Sequence, residues 1–109
     1  MADVRLCTVV ITAPEEAWLA DFVRSLVADH LCAGAHVTSP IRSIYRWQGE
    51  IYDRPEVHVT LHTRTDHVPA IIARANDQHP YEVPCVVATE ITDAAPNYAA
   101  WIVEQTERP

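Results

Sequence analysis

The chain has 109 residues, of which 49% are hydrophobic and two are glycine, a composition that excludes disorder or a collagen-like repeat and fits one globular domain spanning 1–109. Folding at this length buries roughly 60–70% of the surface that the unfolded chain exposes, so neither disulfides nor a structural metal is required for stability. Eight arginines and no lysine stand against fifteen acids, a formal net charge of −7 with no arginine-rich run, which argues against nucleic acid as a partner.

Three cysteines, Cys7, Cys32 and Cys85, are odd in number and widely spaced, as in a reducing compartment. The opening Met1-Ala2-Asp3-Val4-Arg5 carries an acid and only a short apolar run follows, unlike a signal peptide, and no stretch approaches 18 apolar residues. These features predict a cytoplasmic protein without a membrane partner.

The first element is a β-branched run over residues 4–12, read as a strand buried on both faces. Thr12 followed by Glu15 matches a capping box and Pro14 suits a first helical turn, so a helix is predicted to start there. Its apolar stripe is Leu19, Phe22, Val23, Leu26, Val27 and Leu31, and Gly34 is its expected stop. Extended arms over 35–47 and 50–64, separated by Gln48-Gly49, predict a long hairpin in which Pro40 and Pro55 mark bulges or edge positions. Thr65-Asp66 offers a second helix start, with a stripe of Val68, Ile71, Ile72 and Ala75 and an end at His79-Pro80. Residues 83–91 read as a fourth strand and 97–106 as a terminal helix bearing Tyr98, Trp101 and Ile102 on one side.

The order β-α-β-β-α-β-α is that of an α+β, ferredoxin-like sandwich: a four-stranded antiparallel sheet with two helices on one face, a long hairpin and a C-terminal helix. Its other face, and a hairpin carrying Tyr45 and Trp47, leave apolar area that a monomer seldom exposes. Association through that face or hairpin is the economical solution.

The stretches Ile11-Thr12-Ala13-Pro14-Glu15-Glu16, Arg42-Ser43-Ile44-Tyr45-Arg46-Trp47-Gln48-Gly49-Glu50-Ile51, Leu61-His62-Thr63-Arg64 and His79-Pro80-Tyr81-Glu82-Val83-Pro84, closing with Asn97-Tyr98 and Trp101, resemble the CutA family of divalent-cation tolerance proteins over nearly the whole chain. The resemblance implies a tight homotrimer of ferredoxin-like subunits, similar in architecture to the PII signalling proteins. Bacterial members of the family are associated with tolerance to copper and other divalent metals, and animal members with anchoring of acetylcholinesterase. Family members often carry Cys just before the Thr-Ala-Pro turn and in an Ala-Ala-Cys motif; here Ile11 and Gly34 stand in those places and Cys32 falls two residues earlier. Cys85 stands where Glu is common, and His62 where Lys is common. Thiol and imidazole are softer ligands and tilt a site towards copper or zinc.

His79 and Glu82 flank the Pro80-Tyr81 turn, where an imidazole and a carboxylate can converge on a cation, with Cys85 and His62 as further metal candidates. The plainer alternative has His79 capping the second helix and Glu82 bonding at an interface. His58 and His62 share a strand face, but four strand residues span roughly 13 Å, too far for one ion unaided. Cys7 and Cys32 are read as small buried hydrophobes.

Arg42, Tyr45, Arg46, Trp47, Arg64, Tyr81, Tyr98 and Trp101 are read as lining an inter-subunit cleft. Such a cleft suits interface packing, a small anionic metabolite or a protein partner. Ser25, Ser39 and Ser43 lack a nucleophile-elbow context and no phosphate loop is present, so the chain is not read as an enzyme. No cofactor is required; weakly bound Cu²⁺ or Zn²⁺ is the expectation.

Overall fold

The structure is a computed structural model and describes residues 3–107, so Met1, Ala2, Arg108 and Pro109, and with them part of the leader reading and of the 1–109 span, lie outside the described residues. The elements are β1 (Leu6–Ala13), α1 (Glu16–Ala28), β2 (Gly34–Trp47), β3 (Glu50–Arg64), α2 (Val68–Gln78, after a single 3₁₀ turn), β4 (Val86–Glu90) and α3 (Pro96–Gln105). One antiparallel sheet runs β2-β3-β1-β4, the ferredoxin-like order.

Alternation places one face of the sheet against α1 and α2. Cys7, Val9, Ile11 and Ala13 of β1 and Val57, Val59 and Leu61 of β3 meet Leu19, Phe22, Val23 and Leu26 of α1 and Ile71 and Ala75 of α2, all buried. β1 is therefore buried on one face, not two: Thr8, Val10 and Thr12 stay half-exposed because α1 and α2 lie on the opposite side. α3 covers only one end of that second face, where Tyr98 meets His62 and Arg64 reaches the carbonyl of Val103.

Local chemistry moved several boundaries. β1 continues to Ala13 and holds Thr12 opposite His58, so the Thr12–Glu15 capping box does not form; Glu15 takes the N-cap position without a side-chain bond. α1 stops at Ala28 rather than at Gly34. His30 adopts a left-handed conformation (φ 60°), its N–H bonds the Val27 carbonyl, and the Leu31 N–H reaches the Leu26 carbonyl at 2.9 Å. That is a Schellman ending, with Leu31 buried as its apolar clasp. In α2 the buried stripe narrows to Ile71 and Ala75, and Ile72 is 39% exposed. β4 begins at Val86 rather than 83, because Pro84 has no N–H for the ladder.

The hairpin is longer than its sheet. β1 pairs β3 only as far as Val57, so residues 41–47 and 50–56 pair with each other alone and project from the body. The radius of gyration is 14.6 Å, against about 13 Å for a compact chain of this length. Gln48 and Gly49 both have positive φ (49° and 82°), the geometry of the tight turn that suits a twisted hairpin. At Pro40 the register shifts: Thr38 opposes His58 and Ile41 opposes Glu56, so two residues of β2 face one of β3. The bulge inverts the alternation and brings Tyr45 to the face that carries Tyr52 and Glu56. Pro55 sits opposite Arg42 in unbroken register, in the part of β3 with no strand on its other side.

Candidate functional site

The projecting hairpin and residues 80–85 enclose a cleft of about 750 Å³. The hairpin contributes Ser43, Ile44, Tyr45, Arg46, Trp47, Tyr52, Arg54 and Glu56; the facing wall is Thr12 and the run from Pro80 to Cys85. Tyr45 and Tyr52 stack across the strands with centroids 5.4 Å apart, and the Arg54 guanidinium lies 4.5 Å from the Tyr52 centroid. Glu56, 6% exposed, accepts a 2.5 Å hydrogen bond from the Tyr81 hydroxyl, which ties the loop to the hairpin base.

Burial and the adjacent Glu56 carboxylate hold the Tyr81 phenol well above its ordinary range. Because the folded-state value is the higher one, this group's contribution to stability is complete below about pH 10 and declines as pH rises beyond it, where the unfolded chain ionises first. Ultraviolet titration of phenolate is expected to show one late-ionising tyrosine. Glu56→Gln should lower its midpoint only part of the way, since burial remains; an unchanged midpoint would exclude the carboxylate as a cause.

His79 sets the opposite wall. It is 8% exposed, and its Nδ1 accepts from the Tyr81 backbone N–H at 2.9 Å while its Nε2–H donates to the Thr12 carbonyl at 2.7 Å. Trp18 packs on the ring edge at 5.0 Å. Both ring nitrogens are thus spent on backbone groups, and His79, expected to converge with Glu82 on a cation, is instead the internal strut of the Pro80-Tyr81 turn. Glu82 and Cys85 are exposed and line the cleft.

His62 is not with them. It lies four residues along β3 from His58, the partner of Thr12, and its Nδ1 is 2.8 Å from the Tyr98 hydroxyl under α3. Among the described residues no three His, Cys, Asp or Glu side chains come close enough to hold one ion. His79, Glu82, Cys85 and His62 therefore do not form a single centre within one chain.

The aromatic and arginine set also divides. Tyr45, Arg46, Trp47 and Tyr81 meet in the cleft. Arg42 instead forms a two-point ion pair with Asp53 across the hairpin (2.7 and 2.6 Å). Arg64 donates to Thr106 Oγ1 and to the Val103 carbonyl, holding the C-terminus of α3. Tyr98 and Trp101 lie together on α3, with Trp101 against Gly34. Glu56, Tyr52 and Arg54 escaped the sequence reading. Alternation and the opposition of Tyr45 to Tyr52 carried the signal for Tyr52, but Glu56 is hidden by a loop distant in sequence. Burial raises the thiol of Cys7, and that of Cys32 to about 12, which keeps both inert as protonated core residues.

Comparison with known proteins bears on this architecture directly. Residues 7–105 match the CutA1 divalent ion tolerance protein family. The chain belongs to that family. It is 35% identical over 98 residues to the divalent-cation tolerance protein CutA of Thermus thermophilus, covering 90% of this chain and 95% of that one. It is 33% identical over 97 residues to the protein CutA of Mus musculus, covering 89% of this chain and 55% of the mouse protein. Among solved structures, the Thermus thermophilus Cut A1 superposes with a TM-score of 0.89 at 33% identity, over 94% of this chain and 99% of that one. A structure described as the periplasmic divalent cation tolerance protein CutA of Archaeoglobus fulgidus superposes with a TM-score of 0.90 at 25% identity, over 94% and 99% of the two chains. Among the described residues of this CutA1 family member, no helix is long and apolar enough to cross a membrane.

Proposed function

We propose that this chain serves in tolerance of divalent cations as a cytoplasmic, non-enzymatic homotrimer that binds copper or zinc weakly at the mouth of the hairpin cleft. The observation that carries the reading is the 35% identity, over nearly both whole chains, to a protein named for divalent-cation tolerance. The projecting hairpin supports the assembly: Ile44 and Ile51 are 63% and 67% exposed on arms with no third strand, an apolar area that a neighbouring copy would cover. In the cleft, Cys85 and Glu82 are the donors, a soft sulfur and a carboxylate lining the same cleft, with water or a neighbouring protomer completing the coordination. His79 takes no part, since ligation would break two backbone hydrogen bonds.

Native mass spectrometry of the untagged protein with limiting Cu²⁺ and Zn²⁺ tests both halves. A trimer mass is expected, with fewer metal ions bound per chain in the Glu82→Ala, Cys85→Ser variant than in the wild type. A monomer would overturn the assembly, and an undiminished adduct would overturn the cleft as the metal site. A second reading has one observation in its favour: Arg46 and Arg54 both line the cleft, and guanidinium groups beside stacked tyrosines suit a small anionic metabolite in a PII-like signalling role. Thermal stabilisation by an anionic metabolite in metal-free buffer would favour it.

A further inference from the structure

We propose that His36 and His62 form a second, separate binding site for a divalent transition-metal ion that accepts imidazole nitrogen, Cu²⁺ or Zn²⁺, on the sheet face beside α3. In the β2–β3 ladder His36 opposes Thr60 and Gly34 opposes His62, so the two histidines are diagonal neighbours on one face. Their ring centroids are 6.1 Å apart with planes at 66°. An ion bound at about 2.0–2.1 Å from a ring nitrogen lies about 3.2 Å from the ring centroid, so two imidazoles sharing one ion have centroids about 5–6 Å apart. A small side-chain rotation closes the difference, and His36 is exposed and free to make it.

The two rings are prepared unequally. His62 has its Nδ1 engaged with the Tyr98 hydroxyl at 2.8 Å, which leaves Nε2 as the ligating atom and provides the outer hydrogen bond that metal-bound histidines ordinarily have. Of the other four histidines, three are committed elsewhere: His30, His67 and His79 each have a ring nitrogen on a backbone carbonyl. Two protein ligands leave the remaining positions to water, as suits an ion that is taken up and released.

The site does not depend on the cleft, and one titration separates them. The full-length protein, wild type and Glu82→Ala, Cys85→Ser, is titrated with Zn²⁺ by calorimetry while histidine ring signals are followed by NMR. Both proteins are expected to bind one Zn²⁺ per chain at this site, with the rings of His36 and His62 shifting together. His36→Ala, an exposed position, should weaken that binding at least tenfold, and Tyr98→Phe by about 10–100-fold through loss of the outer hydrogen bond. Unchanged affinity in His36→Ala, or a shift of only one of the two rings, would overturn the proposal. Loss of these ring shifts in the Glu82→Ala, Cys85→Ser variant would also overturn it, by placing the ion in the cleft. Circular dichroism verifies the fold of each variant, and His36→Gln, which keeps polarity without the imidazole, repeats the decision if His36→Ala is destabilised.

Discussion

Leu61→Ala is expected to destabilise the protein by about 2–5 kcal/mol, the usual cost of deleting a fully buried leucine together with the cavity it leaves. Leu61 is 0% exposed in β3, paired with Val9 of β1 on one side and Ala35 of β2 on the other. Main-chain ladders on both sides prevent β3 from moving inward to refill the space, so the cost belongs in the upper part of that range. At about 4 °C per kcal/mol for a domain of this size, the thermal midpoint should fall by roughly 10–20 °C. The same truncation at Ile51, 67% exposed on the projecting hairpin, leaves the isolated chain's core intact. A thermal melt of Leu61→Ala that moved by only a degree or two would mean that the packing between the sheet and α1 does not carry the stability assigned to it.

His79→Ala should have the next largest effect, about 2–4 kcal/mol, because it leaves the Thr12 carbonyl and the Tyr81 N–H without partners at a largely buried position. It also removes the ring on which Trp18 rests. Urea unfolding is expected to show a lower midpoint with an unchanged slope. The late tyrosine should ionise earlier, since the turn that presents Tyr81 to Glu56 has lost its strut. A variant with wild-type stability and an unmoved tyrosine titration would restore His79 as a free ligand and reopen the cation reading at the turn.

Much of the fold was legible because periodicity reports burial locally. The alternation of Val57, Val59 and Leu61, the stripe of Leu19, Phe22, Val23 and Leu26, and the Gln48-Gly49 turn each follow from geometry within a few residues. Boundaries were less legible where a backbone bond arises from outside the segment. The end of α1 depended on His30 accepting a left-handed conformation, although a glycine stood four residues later. Residues 80–85, just ahead of β4, face the hairpin, to which Tyr81 is tied through Glu56 25 residues earlier in the chain.

The candidate site was legible as a list and not as a place. Along β3, His62 stands about 13 Å from His58; its near neighbour is His36, across the ladder. Residue type likewise said that His79 has metal-binding chemistry, but not that a carbonyl and an N–H already use both nitrogens. What the sequence alone determined was the order of the elements, the inward-facing residues and the family, because these depend on short-range pattern and on motifs read in line. Only the tertiary structure decided which donors are free and which share a cleft. The long-range ladders, the bulge at Pro40 and the fold-back of residues 80–85 set those distances, and no local spacing encodes them.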